Sequence, residues 1–168
     1  MQREASGNLL LNIASVITLE RQIKMDQLIQ ALKVNLASHF AFYLKTHYYH
    51  WNITGPNFFE NHTMLQGIYE EVYGVVDQLA EEIRTLDAYA PGGLARYGQL
   101  TMIKDDETVP PAMVMINNLL ADIAIMQSSI KTVYDLAEQN GLHNLSNLMA
   151  ERQDAFNKHA WFLRSTLK

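Results

Sequence analysis

Residues 47–62 read HYYHWNITGPNFFENH, so histidines stand on both sides of a turn. Before this stretch, apolar residues recur at helical spacing from about residue 26 to 51, and they predict a core face of Leu28, Leu32, Leu36, Phe40, Tyr43 and Leu44. Thr54-Gly55-Pro56 then ends the helix, because proline cannot continue it and glycine favours a turn. A second helical pattern runs from about 58 to 89. The stretch therefore predicts a helical hairpin that brings His62 back to the end of the bundle where His50 lies.

Two further helical patterns and one long connection complete the predicted fold. APGG stops the second helix, and a loop-rich connection from 92 to 111 leaves room for a short helix near 94–100. A third helix is predicted over about 110–139, and Asn140-Gly141 ends it before a fourth that continues to about 167. A long crossover between the second and third helices is the topology of a ferritin-like four-helix bundle. We therefore predict an all-α single domain over 1–168, with 1–24 as an N-terminal arm or extra helix.

The composition limits the classes of function. Apolar residues make up 48% and charged residues 18% of the 168, which is ordinary for a globular protein. The absence of cysteine excludes disulfides and thiolate metal sites, and it fits a cytoplasmic location. The apolar run at 9–19 has no cleavage pattern of a signal peptide, and no membrane association is expected. A net charge of −5 argues against non-specific attraction to nucleic acid.

Metal ligands are best sought on the second helix. The Glu-x-x-His pair that is typical of di-iron bundles does not occur, which disfavours an ordinary centre inside the bundle. Asp77 and Glu81 stand at i and i+4, so both carboxylates share one helical face and suit a hard cation such as iron. His62 lies on the same broad side. It is fifteen residues from Asp77, however, or about 22 Å along a helix, so one chain cannot bring these groups to one ion.

An antiparallel dimer removes this difficulty. If two copies of the helix pack about a two-fold axis near position 70.5, His62 of one copy meets the acidic pair of the other. Gly67 and Gly74 are symmetric about that point and allow close approach of the two backbones. The turn brings His50 to the same end as His62, and an isologous interface generates two such sites. Two blander readings stay open: an Asp/Glu pair is often a solvated face, and a histidine at a helix end is often a core or surface residue.

Three segments resemble the Dps family, the mini-ferritins called DNA-binding proteins from starved cells. They are FYLKTHYYHWNITGPNFFENH at 42–62, DQLAEEIRTL at 77–86 and KHAWFLRSTL at 158–167. The likeness covers roughly residues 32–167. It implies a hollow dodecamer in which Fe(II) is oxidised, preferentially by hydrogen peroxide, and stored as ferric mineral, which protects against oxidative stress. The ligands implied are His50 and His62 from one subunit with Asp77 and Glu81 from its neighbour. Trp51 and Trp161 match aromatic positions near the centre.

Near the implied site, the chain departs from the family in one ligand position. Gln66 stands where the family often has an acid, and a neutral amide is a poorer ligand for iron. His47, one turn before His50, is expected either to add a ligand or to pack at the interface, and His39 is a weaker candidate of the same kind. Additional imidazole also makes zinc a credible occupant of the site.

The predicted pore and the N-terminal segment differ from the family as well. Asn144 and Asn147 replace common acids of the iron channel, with Glu151 and His143 as the nearby charges, so electrostatic steering of Fe(II) should be weaker. The first 20 residues contain Arg3 as their single cation, so DNA binding is not expected. The alternatives are a non-enzymatic protective shell that binds zinc or DNA, and an ordinary structural helical bundle.

Overall fold

The computed structural model describes residues 2–168, with side chains at 15, 16 and 18–168. This part of the chain contains six helices and no strand. The helices are α1 (Gln2–Asn52), α2 (Phe58–Tyr73), α3 (Val76–Thr85), α4 (Leu94–Leu100), α5 (Ala112–Gln139) and α6 (His143–Thr166). The predictions of an all-α fold, of a short helix at 94–100 and of two long helices after it are confirmed.

Side-chain contacts fix the directions of the long helices. Asn118, near the start of α5, donates to the hydroxyl of Tyr49, near the end of α1, at 3.1 Å. Further along α5, Ser129 accepts from Asn35 at 3.0 Å, so α5 runs antiparallel to α1. The last residue of α6, Thr166, contacts Met64 in the second turn of α2. Helix α6 therefore runs antiparallel to α2, and the end of the bundle with the 53–57 turn also holds the end of α6.

The crossover between α3 and α5 lies along α1. Met102 N donates to Ser38 Oγ at 3.0 Å, and Lys45 Nζ donates to the carbonyl oxygen of Lys104 at 3.0 Å. Ile103, between these contacts, is buried in the core. The connection thus returns the chain from one end of the bundle to the other, as the crossover topology requires.

The core face of α1 differs in part from the predicted one. Leu28, Leu32 and Leu36 are fully buried, as their spacing predicted. Leu44 is 40% exposed, and the core face continues instead through Phe42 and Tyr49. The reason is helical geometry: at about 100° per residue, Leu44 lies roughly 160° around the helix from Leu28.

The second predicted helix is divided in two. Val75 N donates to the carbonyl oxygen of Val72 at 3.5 Å, a return over three residues that is tighter than the α-helical pattern. Gly74, which has no side chain, ends α2 at this point, and α3 begins at Val76. The helix predicted to reach residue 89 ends at Thr85, so the expectation of one unbroken helix is wrong.

Helix α1 includes the N-terminal segment. Residues 2–24 continue α1 as one helix, and the described side chains from 15 to 24 are exposed.

In the described part of the chain, only α5 is long and apolar enough to cross a membrane by length and composition. Its apolar residues form the centre of the bundle core, where Ile123 and Ile130 are buried, which is what a core helix requires.

Candidate metal centre

The turn between α1 and α2 brings His50 and His62 into contact. Ile53 is 1% exposed and anchors the turn in the core, and Gly55 takes a φ of +118° that favours glycine. The chain reverses here, so the last turn of α1 lies beside the first turns of α2. The two imidazole rings stack with centroids 3.6 Å apart and planes inclined by 23°. The predicted meeting of these two histidines is therefore present within a single chain.

Two reciprocal hydrogen bonds set the protonation of the histidine pair. Nδ1 of His50 lies 2.8 Å from the carbonyl oxygen of His62, and Nδ1 of His62 lies 2.9 Å from the carbonyl oxygen of His50. A carbonyl only accepts, so each Nδ1 carries a hydrogen and donates it to the backbone. A histidine that donates from one nitrogen to the backbone and ligates through the other is the usual arrangement in metal sites. The pair thus leaves both Nε2 atoms available to a metal.

His47 lies in an aromatic cluster one turn before the pair. Its ring stacks on Tyr69 with centroids 3.9 Å apart, and it lies 4.1 Å from Trp51 and 5.8 Å from His50. Burial lowers the pKa of His47, repulsion from a protonated His50 would lower it further, and the negative charge of Glu70 opposes the shift. The neutral form of His47, which can accept a proton or bind a cation, is therefore favoured.

Three other residues that were expected near the site are Gln66, Trp51 and Trp161. Gln66 donates to Glu70 across one exposed helical turn at 2.7 Å. Trp51 and Trp161 are each 58% exposed, and Trp161 packs on Phe162 in α6. No ring contact joins Trp161 to the histidine pair within the described part of the chain.

The acidic pair is separated from the histidines, as its spacing predicted. Asp77 and Glu81 are both exposed on α3, one turn apart. Among the described residues of one chain, no group of three or more histidine or acidic side chains is placed to hold a metal ion. The four predicted ligands are therefore not brought together within the described part of one chain.

The interior of the bundle holds a cluster that sequence reasoning missed. Arg152 donates to both carboxylate oxygens of Glu71, at 2.6 and 2.8 Å, and His159 Nε2 lies 2.9 Å from the second oxygen. Burial raises the pKa of Glu71, but the hydrogen bonds from His159 and Arg152 outweigh it and lower the pKa to about 2. Because 81 and 88 residues separate the partners, no local spacing could have revealed the cluster.

His39 does not join the histidine pair. It is fully buried against Phe156, its Nδ1 hydrogen-bonds to the carbonyl oxygen of Asn35, and burial lowers its pKa to about 4. Its expected role near the metal ligands is therefore wrong, because its face of α1 points into the bundle. At the start of α6, Asn144, Asn147 and Glu151 are exposed, and His143 contacts Glu138 at 3.2 Å.

Comparison with known proteins identifies the family of this chain. The family model of the ferritin-like domain matches residues 29–168. The DNA protection during starvation protein of Brevibacillus brevis is 26% identical over 137 residues, which cover 82% of this chain and 92% of that protein. An uncharacterized low temperature-induced protein of Nostoc is 30% identical over 146 residues, which cover 83% and 79%.

Two solved structures of Dps proteins share this fold. The Dps protein of Vibrio cholerae, described as a member of a broad superfamily of ferritin-like diiron-carboxylate proteins, is 30% identical with a TM-score of 0.82. The match covers 87% of this chain and 92% of that one. A Dps protein of Bacillus brevis has a TM-score of 0.83 at 25% identity, over 86% and 97% of the two chains. The chain therefore belongs to the ferritin-like family, and within that family to the Dps mini-ferritins.

Proposed function

We propose that the protein is a ferroxidase and iron-storage mini-ferritin. It oxidises Fe(II), preferentially with hydrogen peroxide, at centres between subunits, and it stores ferric mineral inside a hollow dodecamer. The observation that supports this most directly is the stacked pair of His50 and His62, whose Nδ1 atoms are held by carbonyl oxygens so that both Nε2 lone pairs are left for a metal. Acting in the cytoplasm, the protein removes Fe(II) and peroxide together and so limits oxidative stress.

The proposed ligands divide the chemistry between them. His50 and His62 bind Fe(II) through Nε2, since imidazole suits that ion, and the partner's Asp77 and Glu81 hold the harder Fe(III) product through oxygen. Four protein ligands leave coordination positions open for peroxide. Iron is the substrate, and the residues only hold it, orient it and accept its change of charge.

The surface positions of these residues support an antiparallel two-fold interface. Asp77 and Glu81 are exposed on α3, and among the described residues of their own chain no third histidine or acidic side chain joins them in a metal-binding group. Gly67 has open space where a side chain would begin, so another backbone could approach it closely. A symmetric dimer built on this face forms two equivalent centres.

The direct test is oxidation of Fe(II) by peroxide in the purified apo-protein. We expect fast oxidation and a soluble ferric core in the unaltered protein, and loss of the fast phase in His62→Ala and in Asp77→Ala. Asp135→Ala, which removes a half-exposed carboxylate on α5, is the control and should leave the rate unchanged. An unchanged rate in both site variants means that the ligands are wrongly assigned.

Mixed assemblies test whether the site is shared between chains. In a dimer of one His62→Ala subunit and one Asp77→Ala subunit, one of the two centres keeps all four ligands. Random mixing of the two inactive variants should therefore restore activity to about a quarter of the sites, because the interface is isologous. Restoration to no measurable level would place the ligands of each centre within one chain.

Zinc binding without turnover is the second candidate function. It is favoured by His47, a third imidazole 5.8 Å from His50, because extra nitrogen ligands suit zinc. Tight zinc binding together with absent oxidation of Fe(II) would establish this alternative. Binding of DNA is not proposed, and a salt-sensitive gel shift would show otherwise.

A further inference from the structure

A continuous row of aromatic rings leads away from the histidine pair. His50 lies 5.1 Å from Tyr69, Tyr69 lies 6.2 Å from Tyr43, and Tyr43 lies 4.8 Å from Tyr73, all between ring centroids. We call Tyr43, Tyr69 and Tyr73 the tyrosine string. Each ring contacts the next, so the string connects the candidate centre with the exposed edge of α2.

The string ends where the two-fold axis is expected. Tyr69 and Tyr73 lie on α2 between His62 and Asp77, and their midpoint, position 71, is half a residue from the axis near 70.5. The axis places Tyr73 level with position 68 of the partner, so Tyr73 and the partner's Tyr69 differ along the helix axis by one residue, a rise of about 1.5 Å. Tyr73 is 55% exposed in the single chain, as an interface residue is before assembly. The strings of the two subunits thus meet and join the two centres.

A connection between the two centres would meet the electron requirement of peroxide reduction. Hydrogen peroxide takes up two electrons and two protons to form two waters, whereas each Fe(II) supplies one electron. Gln66 is a poor ligand and its amide is engaged by Glu70, so the residues of one centre favour a single Fe(II). The second Fe(II) then lies at the other centre of the dimer, about 25 Å away along the helix. One peroxide cannot reach both.

We propose that the tyrosine string carries the second electron between the two centres. Fe(II) reduces peroxide to hydroxide and a hydroxyl radical, and a tyrosine of the string gives that radical a hydrogen atom, which yields water and a tyrosyl radical. Fe(II) at the other centre then reduces the tyrosyl radical, which regains a proton. In sum, two Fe(II), one peroxide and two protons give two Fe(III) and two waters. The inference rests on the proposed ferroxidase function.

His47 is placed to manage the phenolic proton. Its Nδ1 lies 3.4 Å from the hydroxyl of Tyr43, so the phenol can donate to this nitrogen when His47 carries its hydrogen on Nε2. Oxidation of Tyr43 can therefore pass its proton to His47, and reduction can return it. His47 is a positioning residue in this scheme rather than a metal ligand.

The first experiment tests the geometry without iron. Photo-oxidation of the assembled apo-protein by a ruthenium sensitiser and persulfate couples neighbouring tyrosines as dityrosine. We expect cross-linked dimers whose peptide mapping joins Tyr73 to the partner's Tyr69, and a severalfold loss of this product in Tyr73→Phe. Tyr134→Phe removes an exposed tyrosine on α5 and should leave the yield unchanged. Mapping that finds no such link overturns the meeting of the two strings.

The second experiment measures the electrons. Freeze-quenched samples with Fe(II) and limiting peroxide should show a tyrosyl radical by electron paramagnetic resonance in the unaltered protein and in Tyr134→Phe. The triple variant of Tyr43, Tyr69 and Tyr73 to Phe should lose it. Iron oxidised per peroxide should fall from two towards one, and a spin trap should capture more hydroxyl radical. Normal Fe(II) binding with two irons per peroxide in the triple variant rejects the string alone, whereas absent oxidation in the unaltered protein rejects the proposed function.

Discussion

Two polar clusters in this bundle use histidine in opposite ways. In the interior, Arg152 and His159 occupy both oxygens of Glu71, so that the cluster is closed to any further ion. At the end of the bundle, the hydrogen bonds of His50 and His62 engage only Nδ1 and leave Nε2 available. Histidine therefore stabilises the fold at position 159, where it and Arg152 together bind both oxygens of Glu71. At positions 50 and 62, where only backbone carbonyl oxygens hold the rings, it offers a ring nitrogen as a ligand.

The comparison also gives a reason for proposing the metal centre at the edge of the bundle. A cation inside would have to displace Arg152 from Glu71, and a buried ion pair that loses one member costs about 3–5 kcal/mol. At the exposed surface of α3 no such pair has to break, because Asp77 and Glu81 have solvent around them. In the dimer that we propose, the interface would enclose the metal as the interior does in other bundles.

The largest expected effect separates the two clusters by metal affinity. His50→Ala removes a ligand, so cobalt(II) affinity measured by absorption should fall at least about 100-fold, more than the change of an outer partner causes. The melting temperature should fall as well, because His50 is buried and its ring stacks on His62. His159→Ala is the matched comparison within the closed cluster, and it should lower the melting temperature while cobalt(II) affinity stays the same. Equal loss of affinity in both variants would contradict the division.

The next effect concerns the pH dependence of folding through His39. Burial holds the pKa of His39 at about 4, below its ordinary 6.5, so the native state keeps the ring neutral while the unfolded chain binds a proton. Stability is therefore fully present above pH 6.5 and is lost as pH falls towards 4, by about 3 kcal/mol in total. Urea unfolding across this range should give a shallower pH dependence in His39→Gln.

Glu71 provides a separate pH window for checking that assignment. Its folded pKa of about 2 lies below the ordinary 4.5, so its contribution is present above pH 4.5 and is lost as pH falls towards 2. The His39→Gln variant should keep this lower transition. If the variant has the same slope as the unaltered protein between pH 6.5 and 4, then His39 is not the group responsible.

A smaller effect is expected when the closed cluster loses its cation. Arg152→Met leaves Glu71 without its two hydrogen bonds from the guanidinium, and we expect unfolding to become easier by about 2 kcal/mol. This is less than for a fully enclosed pair, because the side chain of Glu71 is 35% exposed and solvent screens it. Lys131→Ala breaks an exposed ion pair to Asp135 and should cost less than about 1 kcal/mol. Equal losses in the two variants would mean that burial does not distinguish the pairs.

Local signals were enough to predict most of the fold. Thr54-Gly55-Pro56 and Asn140-Gly141 mark two of the turns, and the periodic leucines mark the helices, because both depend on neighbours in the chain. The break at Gly74 was missed, since one glycine inside a periodic pattern is usually tolerated. The exposure of Leu44 was missed because a position read one helical turn at a time accumulates an angular error over sixteen residues.

The spacing of residues in the sequence predicted only part of the candidate site. His50 and His62 flank a turn, so their contact follows from the hairpin, and the separation of Asp77 from them follows from helical rise. The tautomer of the pair depends on which carbonyl oxygens face the rings, and the closed cluster depends on contacts across 81 and 88 residues. Neither leaves a pattern in a single sequence.

The smallest effect tests whether the backbone of the turn holds the open pair together. Gly55 has a φ of +118° and open space where the Cβ of an alanine would lie, so Gly55→Ala introduces backbone strain without a steric clash. We expect a loss of about 1 kcal/mol in unfolding free energy. Gly67→Ala is the comparison in a regular helical position, where alanine should add about 1 kcal/mol of helix stability to an isolated subunit. Because the turn also fixes the separation of His50 and His62, Gly55→Ala should weaken cobalt(II) binding, whereas the closed cluster, whose members lie on α2 and α6, should keep its pH dependence. Metal affinity unchanged in a measurably destabilised Gly55→Ala protein would show that the two carbonyl hydrogen bonds, rather than the turn, maintain the pair.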